Sequence, residues 1–439
     1  MSDVLLFSAR TPAGSTTGKP AWSALTRGLF RFCFVYLLLS GSLWIFEFAD
    51  KSTALLARPF QALWRPFARW TAVHLFHWSG DVALNFVRDT RYLYALLTCF
   101  FVFSLAAALV WSIVDRKRKE YQAWNHWLRV FLRYVLAYLL LHYGMDKVFL
   151  LQFPAPSLAR LTERFGDYSP SSLMWAFIGS SAVYTVFGGL AEILGAVLLL
   201  FRKTTTLGAL IAFAVMFNVT VMDFSYDVAV KVLCLHILLM AVYLVIPDTG
   251  RLLNFFFLNR STQPARIAHV VLSKFQQRIA TALKVCVILF LIVPLTLREW
   301  RNYRQTGAGA PHPPLYGLYA VEDFDLGGVK HPPLVTDAVR WRYAIFETPG
   351  IMTVRRMDDS LTDYRIRFDS SQHQIQIDTP GEAIDKSSLK VSTTMPGVME
   401  LEGSLAGTPF DAKLKEIDRS SFTLVSRDFH WISETSFIR

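Results

Sequence analysis

The chain has 439 residues, with 45 Lys+Arg against 34 Asp+Glu for a formal net charge of +11; 53% of it is hydrophobic, 14% aromatic and only 18% charged. Soluble domains carry about a quarter charged residues, so this composition excludes a disordered, collagenous or disulfide-framework chain and points to a membrane protein. The charge is unevenly placed: residues 310–439 hold 14 basic and 19 acidic groups, net −5, and residues 1–309 hold 31 and 15, net +16. The excess belongs to the hydrophobic part, which makes anionic lipid headgroups, and not nucleic acid, the expected partner.

In chain order, residues 1–26 read as a polar, flexible tail. Seven apolar runs of bilayer-spanning length follow, at 29–48, 92–114, 127–151, 173–201, 207–223, 228–246 and 279–297. Between the first two, residues 58–78 interleave Trp64, Trp70, Phe60, Phe67 and Phe76 with Arg58, Arg65 and Arg69, the mixture of an amphipathic helix lying in the interface. The expected division is therefore N-terminal spans with that interfacial helix over 27–125, a four-helix module over 126–250, an interfacial segment and last span over 251–305, a Gly/Pro linker over 306–314, and a further domain over 315–439.

Short-loop Lys and Arg mark the cytoplasmic side. Arg10, Lys19, Arg27 and Arg31 lie before or at the very start of the first run, Arg116–Lys119 follow the second, Arg202 and Lys203 follow the fourth, and Arg251, Arg260, Arg266, Lys274 and Arg278 precede the last. These fall on one side if the N-terminus is cytoplasmic, and seven spans then leave the C-terminal domain outside an inner membrane. Cys33, Cys99, Cys234 and Cys286 lie in four different runs, so neither a disulfide framework nor a zinc-type cluster can be drawn, and no metal site is expected.

Ionisable groups at membrane depth mark functional or pairing sites by default. Arg133, Gly144 and Lys147 fall on one helical stripe; Gly188, Glu192 and Gly195 fall on another, with small residues that admit a neighbouring helix. Arg133 and Glu192 count to a similar depth, so an ion pair between them is allowed, and a purely structural network of Arg133, Lys147 and Glu192 is the competing reading. Nearer the outer face, Asp146, Asp223, Asp227 and Lys231 could converge, with a solvated loop rim as the alternative. His142 and His236 lie at similar depth, but each sits about 140° around its helix from that helix's lysine. If the lysine faces meet, the histidines do not, which disfavours a bis-histidine haem.

The string Arg133…Tyr143-Gly144-Met145-Asp146-Lys147, then Gly188-Gly189-Leu190-Ala191-Glu192-Ile193-Leu194-Gly195 with a leucine run and Arg202, resembles the DoxX family of four-helix membrane modules. The resemblance covers roughly residues 127–247. It implies a small membrane subunit linked to redox complexes and the quinone pool, with Arg133, Lys147 and Glu192 as the recurring polar residues and Gly144, Gly188 and Gly195 as packing positions. The chain departs from that pattern in its extra N-terminal elements, its additional last span and its large terminal domain.

Past the linker the hydrophobic period changes from 3.6 to 2. About nine short alternating segments, from 316–324 to 422–425, are separated by turn signals such as Pro349-Gly350, Pro396-Gly397 and Gly407. This is the pattern of an antiparallel meander closing as a barrel or sandwich. Leu315-Tyr316-Gly317-Leu318-Tyr319 faintly resembles the opening strand of lipocalin-like barrels, and such a barrel could hold one small apolar ligand or be filled by its own side chains. Asp428, His430 and Trp431 cluster near the C-terminus and read as barrel-edge packing.

The fold expected is a polytopic helical membrane bundle followed by an all-β barrel-like domain. The chain shows no flavin, nicotinamide or iron–sulfur fingerprint. Two functions are consistent with this: a DoxX-like subunit meeting a quinone and a redox partner subunit, or a non-enzymatic anchor or transporter presenting a ligand-binding barrel.

Overall fold

The computed structural model describes residues 22–47, 54–78, 88–264, 273–378, 387–427, 430–432 and 434. Most of the expected N-terminal tail, as well as Arg266 and Asp428, lies outside them. The chain divides into two compact units, residues 1–135 and 136–439.

The first unit holds α1 (Ala24–Glu47), α2 (Ala54–His74), α3 (Arg91–Val114) and the first half of α4 (Gln122–Val148). The start of α1 is tied to the turn after α3. Trp22 donates its amide to Lys119 O at 3.0 Å, and Arg27 Nη1 reaches Arg118 O at 3.0 Å. Arg31 is buried, donating to Tyr121 Oη at 2.6 Å, Ser112 Oγ at 2.6 Å and Asp115 O at 3.1 Å. Arg31, read from sequence as a charge marking one membrane face, also ties the start of α1 to the end of α3 and the turn after it. Every guanidinium nitrogen has a partner, which offsets the cost of its burial. α2 packs Trp64 edge-on against Phe100 of α3, ring centres 4.8 Å apart, and leaves Leu63, Phe67, Trp70 and its arginines exposed.

The second unit continues with α5 (Leu158–Leu161), α6 (Pro170–Gly179), α7 (Ala182–Leu199), α8 (Thr205–Ser225), α9 (Lys231–Val245), α10 (Thr249–Phe256) and α11 (Lys274–Gln305). Among the described residues six helical stretches are long and apolar enough to cross a membrane: Ala24–Phe46, Arg91–Val114, Ala182–Leu199, Thr205–Ser225, Lys231–Phe256 and Lys274–Gln305. The chain is a multi-pass membrane protein by this measure. Two of the seven expected runs resolve differently. α4 has the length, at 27 residues, but is not apolar enough to be among the six. The run 173–201 is broken at Ser180-Ser181, where Ser181 Oγ accepts the Tyr184 amide and starts α7 afresh.

The C-terminal domain is a meander of β1 (Gly317–Leu326), β2 (Val329–Lys330), β3 (Trp341–Phe346), β4 (Ile351–Arg356), β5 (Leu361–Asp369), β6 (Gln374–Asp378), β7 (Ser388–Met395), β8 (Val398–Leu405) and β9 (Thr408–Ile417). All neighbours are antiparallel, and β1 pairs with β9 from Leu318↔Ile417 to Leu326↔Phe410. Eight strands thus close an antiparallel barrel, while β2 only extends a short ribbon from the end of β1. Gly397 and Gly407 sit at φ +77° and +78° in the two tight hairpins flanking β8, a conformation a side chain would strain. The ninth expected strand, 422–425, is a helical turn instead, α12 (Thr423–Ser426). β9 pairs with both β8 and β1, so no free edge is left there for another strand.

Alternation buries one face of each strand in a single cluster. Trp341, Phe324 and Phe410 meet ring to ring at its centre, with Met352, Val354, Ile375, Leu389 and Leu401 around them. The barrel interior is filled by its own side chains.

A feature with no sequence signature joins bundle to barrel. The segment after α4 lies on the barrel wall, where Leu158 packs with Leu318 and Ile345. The Leu158 amide donates to Glu347 Oε2 at 2.9 Å, Arg355 donates to Thr162 Oγ1 and Ala159 O at 3.1 Å each, and Arg419 donates to Pro156 O at 3.1 Å. Arg164 and Asp359 add an ion pair. Arg355 is 3% exposed, so its two bonds to this segment are charge-assisted and largely shielded from solvent.

Candidate functional site

The site begins with a close approach of two helices. A β-carbon on Gly189 would lie 2.6 Å from Gly144 O and 2.9 Å from Lys147 Cβ, so α4 and α7 touch backbone to backbone only because neither glycine has a side chain. That contact sets Lys147 opposite Glu192. Lys147 Nζ lies 2.8 and 2.9 Å from the two carboxylate oxygens, and Glu192 is 2% exposed. The ammonium also stands 5.7 Å from the Tyr143 ring centre and 5.9 Å from that of Phe153.

The pair borders a cavity of about 80 Å³. Its remaining wall is mostly soft and apolar: Met174, Trp175, Ile178, Met216 and Met222. Two further polar groups face it. Asp223, 3% exposed, accepts a hydrogen bond from Cys234 Sγ at 3.0 Å, and Gln152 contributes its amide. The lining thus combines a cation, two carboxylates and the Tyr143 side chain with thioethers and an indole. Such a mixed lining suits a molecule that carries both polar and apolar groups.

The candidates proposed from sequence distribute unevenly. Lys147, Glu192 and Asp223 share this cavity. Asp227 is fully exposed in the α8–α9 turn and pairs with Lys231 at 2.8 Å, its carboxyl held below the usual range by that lysine. Asp146 faces a second cavity, with Glu299. Arg133, 8% exposed, is the last but two of the first unit and lies over the Tyr134 ring at 5.7 Å. The glycine at closest approach is Gly189, whereas a β-carbon on Gly188 would meet nothing nearer than 3.9 Å, and one on Gly195 nothing nearer than 3.5 Å. His236 Nδ1 donates to Val232 O within its own helix, and His142 lies against Arg298. His430 and Trp431 are exposed.

Cys234, Gln152 and the Met/Trp wall were not singled out from sequence. The Met residues carried no periodic signal, and Cys234 looked like any buried thiol.

Against known proteins, no family model matches the chain, and no solved structure matches it significantly. A match does extend over 133 residues at 30% identity to an uncharacterized protein, YwoB, of Bacillus subtilis (strain 168), covering 79% of that protein and 28% of this chain. The chain belongs to the same family as YwoB. Most of its length lies outside the part shared with YwoB, and that relative has no assigned activity in its name.

Proposed function

We propose that this chain is a DoxX-like integral protein of the inner membrane whose Lys147–Glu192 cavity takes the headgroup of a quinone. The observation that carries this is the buried, bidentate Lys147–Glu192 pair opening onto an apolar cavity of about 80 Å³. A quinone carbonyl accepts from Lys147 Nζ or Tyr143 Oη, while its ring lies among Met174, Trp175 and Met216. In this reading Glu192 and Asp223 exchange protons with a reduced oxygen, and electrons come from a partner subunit, since the chain offers no flavin or cluster motif.

Two internal ties support an orientation. The basic turn at Arg202 and Lys203 lies at the same end of the bundle as α10, because Thr206 Oγ1 donates to Asp248 Oδ2 at 2.5 Å. The barrel is bound at the other end, through residues 156–164. From that segment to the barrel the chain passes through α7, α8, α9–α10 and α11, an even number of crossings, which returns it to the same side. With the basic end cytoplasmic and against anionic lipid, the barrel is periplasmic. α4 then crosses as a seventh helix, its charges satisfied internally rather than by lipid.

A fluorescence titration of the detergent-purified chain with a short-chain quinone tests the site. The reading predicts saturable quenching that is mostly lost in Trp175→Phe. Quenching of the same depth in Trp175→Phe, or only linear collisional quenching, would sink it. The filled interior of the barrel weighs against the alternative of a ligand-holding barrel and favours a docking or anchoring role for that domain.

A further inference from the structure

His142 and Asp146 are four residues apart on one face of α4, and Glu299 reaches the same spot from α11. Their ligand atoms all lie within 4.8 Å of one another. Glu299 is 1% exposed and His142 is 7% exposed. An open cavity of about 290 Å³ adjoins them, lined by Asp146, Glu299, Asn302, Thr306, Tyr143 and Gln152. It lies where the apolar stretch of α11 ends at Arg298 and the chain turns polar.

We infer that His142, Asp146 and Glu299 form a site for a first-row divalent transition-metal ion at the outer end of the bundle. Three arguments converge on it. The donor set is one imidazole nitrogen and two carboxylates, which suits Mn²⁺, Fe²⁺ or Zn²⁺ better than a hard oxygen-only ion or a thiolate-seeking one. The two carboxylates repel one another unless a proton or a cation lies between them, and the spot already draws a cation: Arg298 Nη2 stands 2.5 Å from both His142 Nδ1 and a Glu299 oxygen. Arg298 keeps a quarter of its side chain exposed, so it can swing out when an ion takes that place. Finally, Gln152 Oε1, in the lining of the same cavity, is a buried acceptor without a hydrogen-bond partner among the described residues. It is a neutral oxygen suited to a fourth ligand or to a metal-bound water.

Asn302 Nδ2 donates to the other Glu299 oxygen at 3.3 Å, an outer contact that orients the carboxylate. With three protein ligands and an open cavity beside them, coordination positions remain for water or substrate. Tyr143 and Gln152 line this cavity and the Lys147–Glu192 cavity alike, so the ion would sit one wall away from the buried pair.

The test is Mn²⁺ titration of the full detergent-purified chain, followed by electron paramagnetic resonance of the free ion, with Zn²⁺ as competitor. The expected result is one Mn²⁺ per chain, displaced by Zn²⁺, with at least a tenfold loss of affinity in Glu299→Gln. Asp146→Asn gives the same loss and serves if Glu299→Gln does not fold. Arg298→Gln, which removes the competing cation, binds more tightly than wild type. The inference is overturned by no binding at millimolar metal, by variants of Glu299 or Asp146 that bind as wild type does, or by unchanged or weaker binding in Arg298→Gln.

Discussion

Lys147 of α4 and Glu192 of α7 form a bidentate ion pair, with Nζ 2.8 and 2.9 Å from the two carboxylate oxygens, shielded from solvent by helices that meet at glycines. A buried pair of this kind offers weak net stability when intact and a large penalty when halved.

The first prediction follows from that asymmetry. Lys147→Met or Glu192→Leu alone should destabilise the bundle by about 3–5 kcal/mol, because each leaves an uncompensated charge in an apolar site. The double variant should recover most of the loss. Thermal melts in detergent would show this. Equal destabilisation by the single and double variants would mean that the pair itself, and not the orphaned charge, holds α4 to α7.

Gly189 and Gly188 are neighbours in sequence and differ sharply in space. Gly189→Ala should cost about 1–3 kcal/mol through overpacking against Gly144 O, whereas Gly188→Ala should be close to neutral. Comparing their melting temperatures checks the α4–α7 contact directly.

The clamp between residues 156–164 and the barrel predicts a third outcome. Arg355→Ala removes donors from Thr162 Oγ1, Ala159 O and Asp359 O and should cost about 2–4 kcal/mol. Limited proteolysis should then cut within 149–169 while the barrel itself stays resistant. Simultaneous digestion of barrel and loop would mean that the two fold as one inseparable unit.

The β2–β3 connection carries a pH signature. The Arg340 amide, His331 and the Val339 amide all bond the Asp337 carboxylate and hold it down at about 2. Since an unfolded aspartate titrates near 3.9, this group adds stability that is fully present above about pH 5 and is lost as pH falls toward 2. Acid unfolding of wild type and Asp337→Asn should therefore converge near pH 2. A gap that persists there would assign the effect to packing.

Much of this architecture is legible in the residues. Runs of some twenty apolar residues give the spans, and the change from period 3.6 to period 2 after residue 314 gives the barrel. Lys147 and Glu192 stand out because charges are costly at that depth, and both prove to border the cavity. What the residues do not disclose depends on who meets whom. Arg31 looks like any basic residue before a span until Tyr121 and Ser112 close on it. Gly188 and Gly189 are indistinguishable until α4 arrives. Glu299, 153 positions after Asp146, had no motif to link it to α4, and a helical turn of four residues after α4 gives no sign that it will lie on a barrel.

The most direct test of the Lys147–Glu192 cavity as a quinone site is the quinone content of the chain purified in native-lipid nanodiscs, set against that of the surrounding lipid. The account predicts about one quinone per chain above the lipid background in wild type, and background only in the stable Lys147→Met/Glu192→Leu double variant. Quinone no richer around the wild-type chain than in the bulk lipid, or equally enriched in the double variant, would contradict it.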